Sequence, residues 1–170
     1  MNKKLSFLVI ISSFIITGCA TKMPLTADEF RHMAPGSFSG GKESFEVNRS
    51  VASIGKTFKK MANKCLNKRV QMTESGYMHH MVVVTKYTPT VRIGKNRAEL
   101  HLQYEHEKGV MKIHEMPEKG YYMIVMDVTG IGKSKSRVEF YRPSIAYKNV
   151  VEAVRGWATG KNIGCPDLTK

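Results

Sequence analysis

The chain has 170 residues, 42% hydrophobic and 24% charged, with 27 Lys and Arg against 14 Asp and Glu, a formal net charge of +13. That length holds one domain with a sizeable core and excludes a large multidomain assembly. The charge bears on partners and solubility rather than on fold, and it points towards polyanions.

The chain starts "MNKKLSFLVIISSFIITGCATKM". Lys3 and Lys4 make a positive start, and Leu5 to Ile16 are apolar apart from three serines. The run is shorter than the roughly 20 residues that cross a hydrocarbon core, and it is apolar on every side. It has the form of the apolar region of a secretory signal. The stretch "ITGC" (16–19) resembles the lipobox of bacterial lipoproteins: an aliphatic residue, a small residue, Gly or Ala, then Cys. The resemblance covers residues 1–19. It implies cleavage before Cys19, acylation of that residue, and a stable anchor made by more than one chain. Ala20 stands where that family's inner-membrane retention signal has Asp, which implies outer-membrane sorting and a domain facing the periplasm. The expected organisation is a signal peptide at 1–18, a lipidated flexible tether at 19–41 and one α+β domain at 42–170.

Loss of 1–18 removes Lys3 and Lys4, so 27 basic residues become 25 against 14 acidic, a balance of +11. Export makes nucleic acid a poor partner. It leaves anionic lipid, lipopolysaccharide, cell-wall polymer or an envelope protein. With Cys19 given to lipid, Cys65 and Cys165 remain as an even pair in an oxidising compartment, and a disulfide between them is expected.

Residues 20–41 show no sustained period and end "PGSFSGG", which reads as a tether, with a short helix allowed at Ala27 to Met33 behind a Thr26 cap. In "ESFEVNR" (43–49), Phe45 and Val47 alternate with polar neighbours, a first strand. Val51, Ile54, Phe58, Met61, Ala62 and Cys65 then recur at helical spacing, with Asn48 or Ser50 as cap. Gly55 is that helix's weak point, at about 1 kcal/mol against Ala. The segments 70–75, 77–88, 98–107, 110–116, 121–129 and 136–142 read as strands with short separators, which favours antiparallel hairpins. Tyr147, Val150, Val151, Val154, Trp157 and Ala158 share a face of a last helix, capped by Ser144 and ended by Gly160. The expected fold is α+β: an antiparallel sheet of five to six strands with two helices on one face, in β-α-β(n)-α order. In layout alone this resembles helix-grip and related two-layer domains of envelope lipoproteins, an analogy of fold and not of function.

Several motifs tempt. "DVTGIGKSKS" (127–136) ends like a phosphate-binding loop, but Asp127 stands where Gly is needed and a strand follows instead of a helix. It reads as a basic turn in which Gly130 and Gly132 allow positive φ. "SIGKT" (53–57) fails likewise. "YMHHM" (77–81) offers Met78, His79, His80 and Met81 as soft ligands suited to copper, with His101 or His114 as a further ligand. On a strand Met78 and His80 share one face while His79 and Met81 share the other, so no face collects all four. No metal or cofactor is therefore assigned. No nucleophile elbow and no His-Glu-x-x-His motif occurs, so no catalytic residue is named. Glu99, Glu105, Glu107, Glu115 and Asp127 read as solvated strand-face carboxylates.

The strongest surface signal is basic. Lys56, Lys60 and Lys64 recur every four residues, with Lys59 beside them and Lys68 and Arg69 after, and no acidic residue lies in that helix. Like charges at this spacing oppose a helix by about 0.2–0.5 kcal/mol per pair, a cost an anionic partner offsets. Lys86, Arg92, Lys95 and Arg97 form a second basic stretch at a hairpin end. The functional expectation is a non-enzymatic envelope lipoprotein that binds an anionic component or a partner protein. The alternatives are a carrier of a hydrophobic small molecule, held between the helices and a curved sheet, or a Met/His copper binder.

Overall fold

A computed structural model describes residues 23–37, 39–75, 80–108, 116–144 and 147–169. The segment expected to be a signal peptide, Cys19, Met78, His79, His114 and all but Met116 of the candidate strand 110–116 lie outside the described residues.

The fold is α+β. Helix α1 (Ala27–Met33) runs into a 3-10 turn (Ala34–Gly36). Strand β1 (Gly41–Val47), helix α2 (Val51–Cys65), strands β2 (Lys68–Ser75), β3 (His80–Ile93), β4 (Arg97–Lys108), β5 (Tyr121–Gly130) and β6 (Ser136–Arg142), and helix α3 (Lys148–Thr159) follow. The six strands form one sheet in the order β1-β6-β5-β4-β3-β2. Every neighbouring pair is antiparallel.

Alternation within the strands sends one set of side chains to a layer shared by α2 and α3. Val51, Ile54, Phe58, Ala62 and Cys65 of α2 meet Val150, Val154, Trp157 and Ala158 of α3 over Leu100, Leu102, Met126 and Phe140 of the sheet. Each large side chain so buried stabilises the fold by about 1.5–3 kcal/mol. Ser50 caps α2 through its hydroxyl, which accepts from the Ser53 N–H at 3.3 Å. Gly55 of α2 earns its place by close approach, because a Cβ there would lie 2.9 Å from Ile93 of β3.

Three α-helices lie among the described residues, where two were expected. The third is α1, on the opposite face of the sheet, where Phe30 and Ala34 pack against Val125 and Tyr141. It is the short helix allowed behind Thr26 within the 19–41 segment, continued by the turn to Gly36 and packed on the sheet. A capping box starts it: the Thr26 hydroxyl accepts from the Glu29 N–H at 3.1 Å, and the Glu29 carboxylate accepts from the Thr26 N–H at 3.3 Å. The register between β4 and β5 shifts at Leu102/Gln103. Met123 and Ile124 both enter the α2/α3 layer there, while Tyr122 and Val125 meet α1.

Two further expectations change. Strand β3 continues past Thr88 to Ile93, through Pro89. Its pairing with β2 stops at Tyr87, so Pro89 lies where β3 has only β4 beside it, an edge position that tolerates proline. Helix α3 begins at Lys148 with Tyr147 in the cap position, and it ends as expected at Gly160, with φ of 82°. The turn 130–135 joins β5 to β6 with both glycines outside the positive-φ region, which among the described residues only Gly120 and Gly160 occupy.

Candidate functional site

The basic surface is built by α2. Burial of its apolar stripe turns Lys56, Lys59, Lys60 and Lys64 to solvent, and Lys68 and Arg69 continue the exposed charge onto β2, an edge strand. Arg69 pairs with Glu107. None of the five lysines has an ion pair among the described residues.

Tertiary structure adds a residue that periodicity did not find. A cleft of about 350 Å³ separates α2 from the end of α3, and Lys56, Lys60 and Lys161 line it together with Arg49. Arg49 is occupied: its guanidinium donates to the Trp157 carbonyl at 2.7 Å, the Ala158 carbonyl at 3.0 Å and the Thr57 hydroxyl at 2.9 Å. It therefore caps α3, with its charge at the negative end of the helix dipole. Lys161 sits beyond Gly160 in the tail, too far along the chain for any helical repeat to reveal. Its ammonium, with those of Lys56 and Lys60, makes a cluster of strongly hydrated point charges suited to phosphate or carboxylate oxygens.

A second charged cluster lies between α1 and the sheet. Arg31 donates from Nε to Asp127 Oδ2 at 2.7 Å and from Nη2 to Asp127 Oδ1 at 2.7 Å, a bidentate pair. The same Nη2 reaches Glu99 at 3.1 Å, and Nη1 reaches Asp28 at 2.6 Å. Arg97 bonds Glu99 at 2.7 Å and approaches Asp127 at 3.3 Å. Asp127 is 5% exposed and Glu99 is half-buried, so neither is the solvated strand-face carboxylate expected from the sequence. Alternation was read correctly, but the polar face it defines is covered by α1. Burial alone would lower the Arg31 pKa; its bonds to Asp127 and the charges of Asp127 and Glu99 outweigh that and raise it. Arg31 and Arg97 pair with the carboxylates of Asp127 and Glu99, and Arg31 also with exposed Asp28, which makes the cluster a clamp for α1.

His101 is buried beside this clamp, its Nε2 without a hydrogen-bond partner and 3.4 Å from Glu99. Burial lowers its pKa; Glu99 opposes the shift, and Arg31 and Arg92 add to it. It lies far along the sheet from His80. The register sets it opposite Thr90, ten residues along β3 from His80, or roughly 33 Å at about 3.3 Å per residue. Among the described residues no three His, Cys, Asp or Glu side chains are grouped as a metal site requires.

The sulfurs of Cys65 and Cys165 lie at bonding distance, with their Cα atoms 4.9 Å apart. They join the end of α2 to the tail beyond α3. That tail is held further by the Trp157 indole N–H, which donates to the Ile163 carbonyl at 3.0 Å, and by the Tyr87 hydroxyl, which donates to the Leu168 carbonyl at 3.2 Å. The layer between the long helices and the sheet, where a hydrophobic ligand was expected to sit, is filled by Phe58, Phe140 and Trp157, none more than 1% exposed.

Comparison with protein-family models, with curated proteins and with solved structures returned no match.

Proposed function

We propose that the chain is a lipid-anchored protein of the cell envelope that acts by binding, with the α2 surface holding a phosphate-bearing lipid or lipopolysaccharide. The observation that carries this reading is the set of exposed lysines on one helix–strand surface without an ion pair among the described residues. Lys60 has a like charge one turn away on each side, at Lys56 and Lys64, an arrangement that opposes helix formation and is relieved by an anion. The lipobox at 16–19 supports a membrane-proximal location, where such anions are concentrated, and Ala20 favours the outer membrane.

The test uses the full chain carrying Cys19→Ser, mixed with vesicles of neutral lipid, of neutral lipid with anionic phospholipid, and of neutral lipid with lipopolysaccharide, across a salt series. Binding to the anionic vesicles that weakens steeply with salt is expected, since exposed charges are screened within about 10 Å at 0.1 M. The variant Lys56→Glu/Lys60→Glu/Lys64→Glu should bind at least tenfold more weakly. Equal binding to neutral vesicles, or no response to salt, defeats the reading.

A further inference from the structure

An apolar cavity of about 470 Å³ lies away from the α2 surface, between α1 and the end of the sheet where β5 begins and β6 ends. That size falls within the roughly 300–1,000 Å³ of small-molecule pockets. Phe30 and Met33 of α1 form one wall, Tyr121 and Tyr122 of β5 a second, and Tyr104 and Tyr147 a third. β6 is paired with β5 only from Val125 onward, so the first residues of β5 leave this end of the sheet uncovered by a strand.

These walls are mainly apolar. Tyr104 and Tyr147 face each other, and Tyr122 lies beside the start of α1. Burial, with Tyr147 beside it, pushes the Tyr104 hydroxyl up to about 12, so it stays protonated within that pair. An occupant meets ring faces and methionine side chains, which adapt to a flexible apolar guest. Met23 and Met33, two of the most exposed large hydrophobic side chains at 40% and 38%, line the cavity, and His32 is the titratable imidazole among its lining residues. The Arg31–Asp127 clamp fixes the α1 wall, so the space is preformed.

We propose that this cavity binds one long, unbranched fatty acyl chain, with the carboxylate or ester end towards His32 and the tail among the tyrosine rings. The position of the chain favours this occupant. Met23 at the cavity lies four residues after Cys19, a reach of at most about 14 Å at 3.3–3.6 Å per residue. An acyl chain carried at position 19 reaches the cavity, as does the tail of a neighbouring membrane lipid. The site stands on its own geometry; only the first of these two sources rests on the lipoprotein reading.

The experiment is photolabelling with a diazirine-bearing palmitate, mapped by peptide mass spectrometry. In the full chain with Cys19→Ser, saturable labelling of the segments holding Met33 and Tyr121–Tyr122 is expected. Gly36 lines the cavity, and a Cβ there meets nothing within 4 Å, so Gly36→Trp fills the space without a clash at its base. That variant should lose labelling at least tenfold while its melting temperature holds. Met33→Glu, at an exposed position, is the second variant and should behave alike. Labelling of the natively processed chain separates the sources: a blocked site assigns the occupant to the chain's own anchor, and an open one to a membrane lipid. Lys56→Glu/Lys60→Glu should leave labelling unchanged, which keeps this site distinct from the α2 surface. No saturable labelling in the Cys19→Ser chain, or full labelling in both folded cavity variants, overturns the proposal.

Discussion

Arg31 and Asp127 stand 96 residues apart in sequence, yet the guanidinium of one holds the carboxylate of the other by two bonds of 2.7 Å. This pair docks α1 on the sheet and shapes the wall of the acyl cavity. Removing one partner of a buried pair strands the other, at a cost of about 3–5 kcal/mol. Arg97 remains 3.3 Å from Asp127 and lessens the effect. Arg31→Met is expected to destabilise by about 3 kcal/mol, and Arg31→Met/Asp127→Asn by clearly less than the two single changes summed. Denaturant unfolding of the four proteins gives the coupling, and additive single effects would show that the pair does not hold α1.

His101 gives the fold a defined pH response. Its pKa is lowered in the fold by burial, opposed by Glu99 and Asp127 and assisted by Arg31 and Arg92, below the ordinary value of 6.5. Below that value the unfolded chain takes a proton that the folded chain refuses. The His101 contribution is therefore full above about pH 6.5 and falls as pH drops, until the buried ring itself protonates. Unfolding free energies of the wild type minus those of His101→Gln, measured between about pH 5 and 7, should decline towards acid. A flat difference would place the imidazole in water.

The link between Cys65 and Cys165 spans 100 residues of sequence. The loop-entropy model assigns about 4.7 kcal/mol to closing a loop on the order of 100 residues. Cys65→Ala/Cys165→Ala should lose about 3–5 kcal/mol in chemical unfolding. Protein exported natively should gain the mass of two hydrogens on reduction, and an unchanged mass would mean free thiols.

Lys60 separates binding from stability. Lys60→Glu turns two repulsions, with Lys56 and Lys64, into two attractions, and should stabilise the isolated fold by about 1 kcal/mol. The same change should weaken binding to anionic vesicles severalfold. A protein gaining stability while losing affinity has lysines placed for a partner; a variant with unchanged affinity would make the stripe a solvated face.

Much of the architecture was legible in local pattern. Val51, Ile54, Phe58 and Cys65 are the buried face of α2, Gly160 ends α3, and β6 has the bounds that alternation set for it. Each signal repeats within a few residues, at the period of its own element. Strand β3 runs past the 88 set for it, because Pro89 is tolerated where β2 has stopped, which is a matter of pairing. Asp127 and Glu99 misled because alternation defines a polar face without saying what covers it. Lys161 was silent because its neighbours in the basic cleft come from another helix.

The sequence alone settled the basic helix face and the pairing expected of Cys65 with Cys165, since charge, period and residue type are properties of the chain itself. Only the tertiary structure decided that residues 27–36 lie on the sheet, that Arg31 meets Asp127, and that a cavity opens beneath α1. Those are relations between segments, set by strand register and by the shift at Leu102/Gln103, and no periodicity within one segment encodes them.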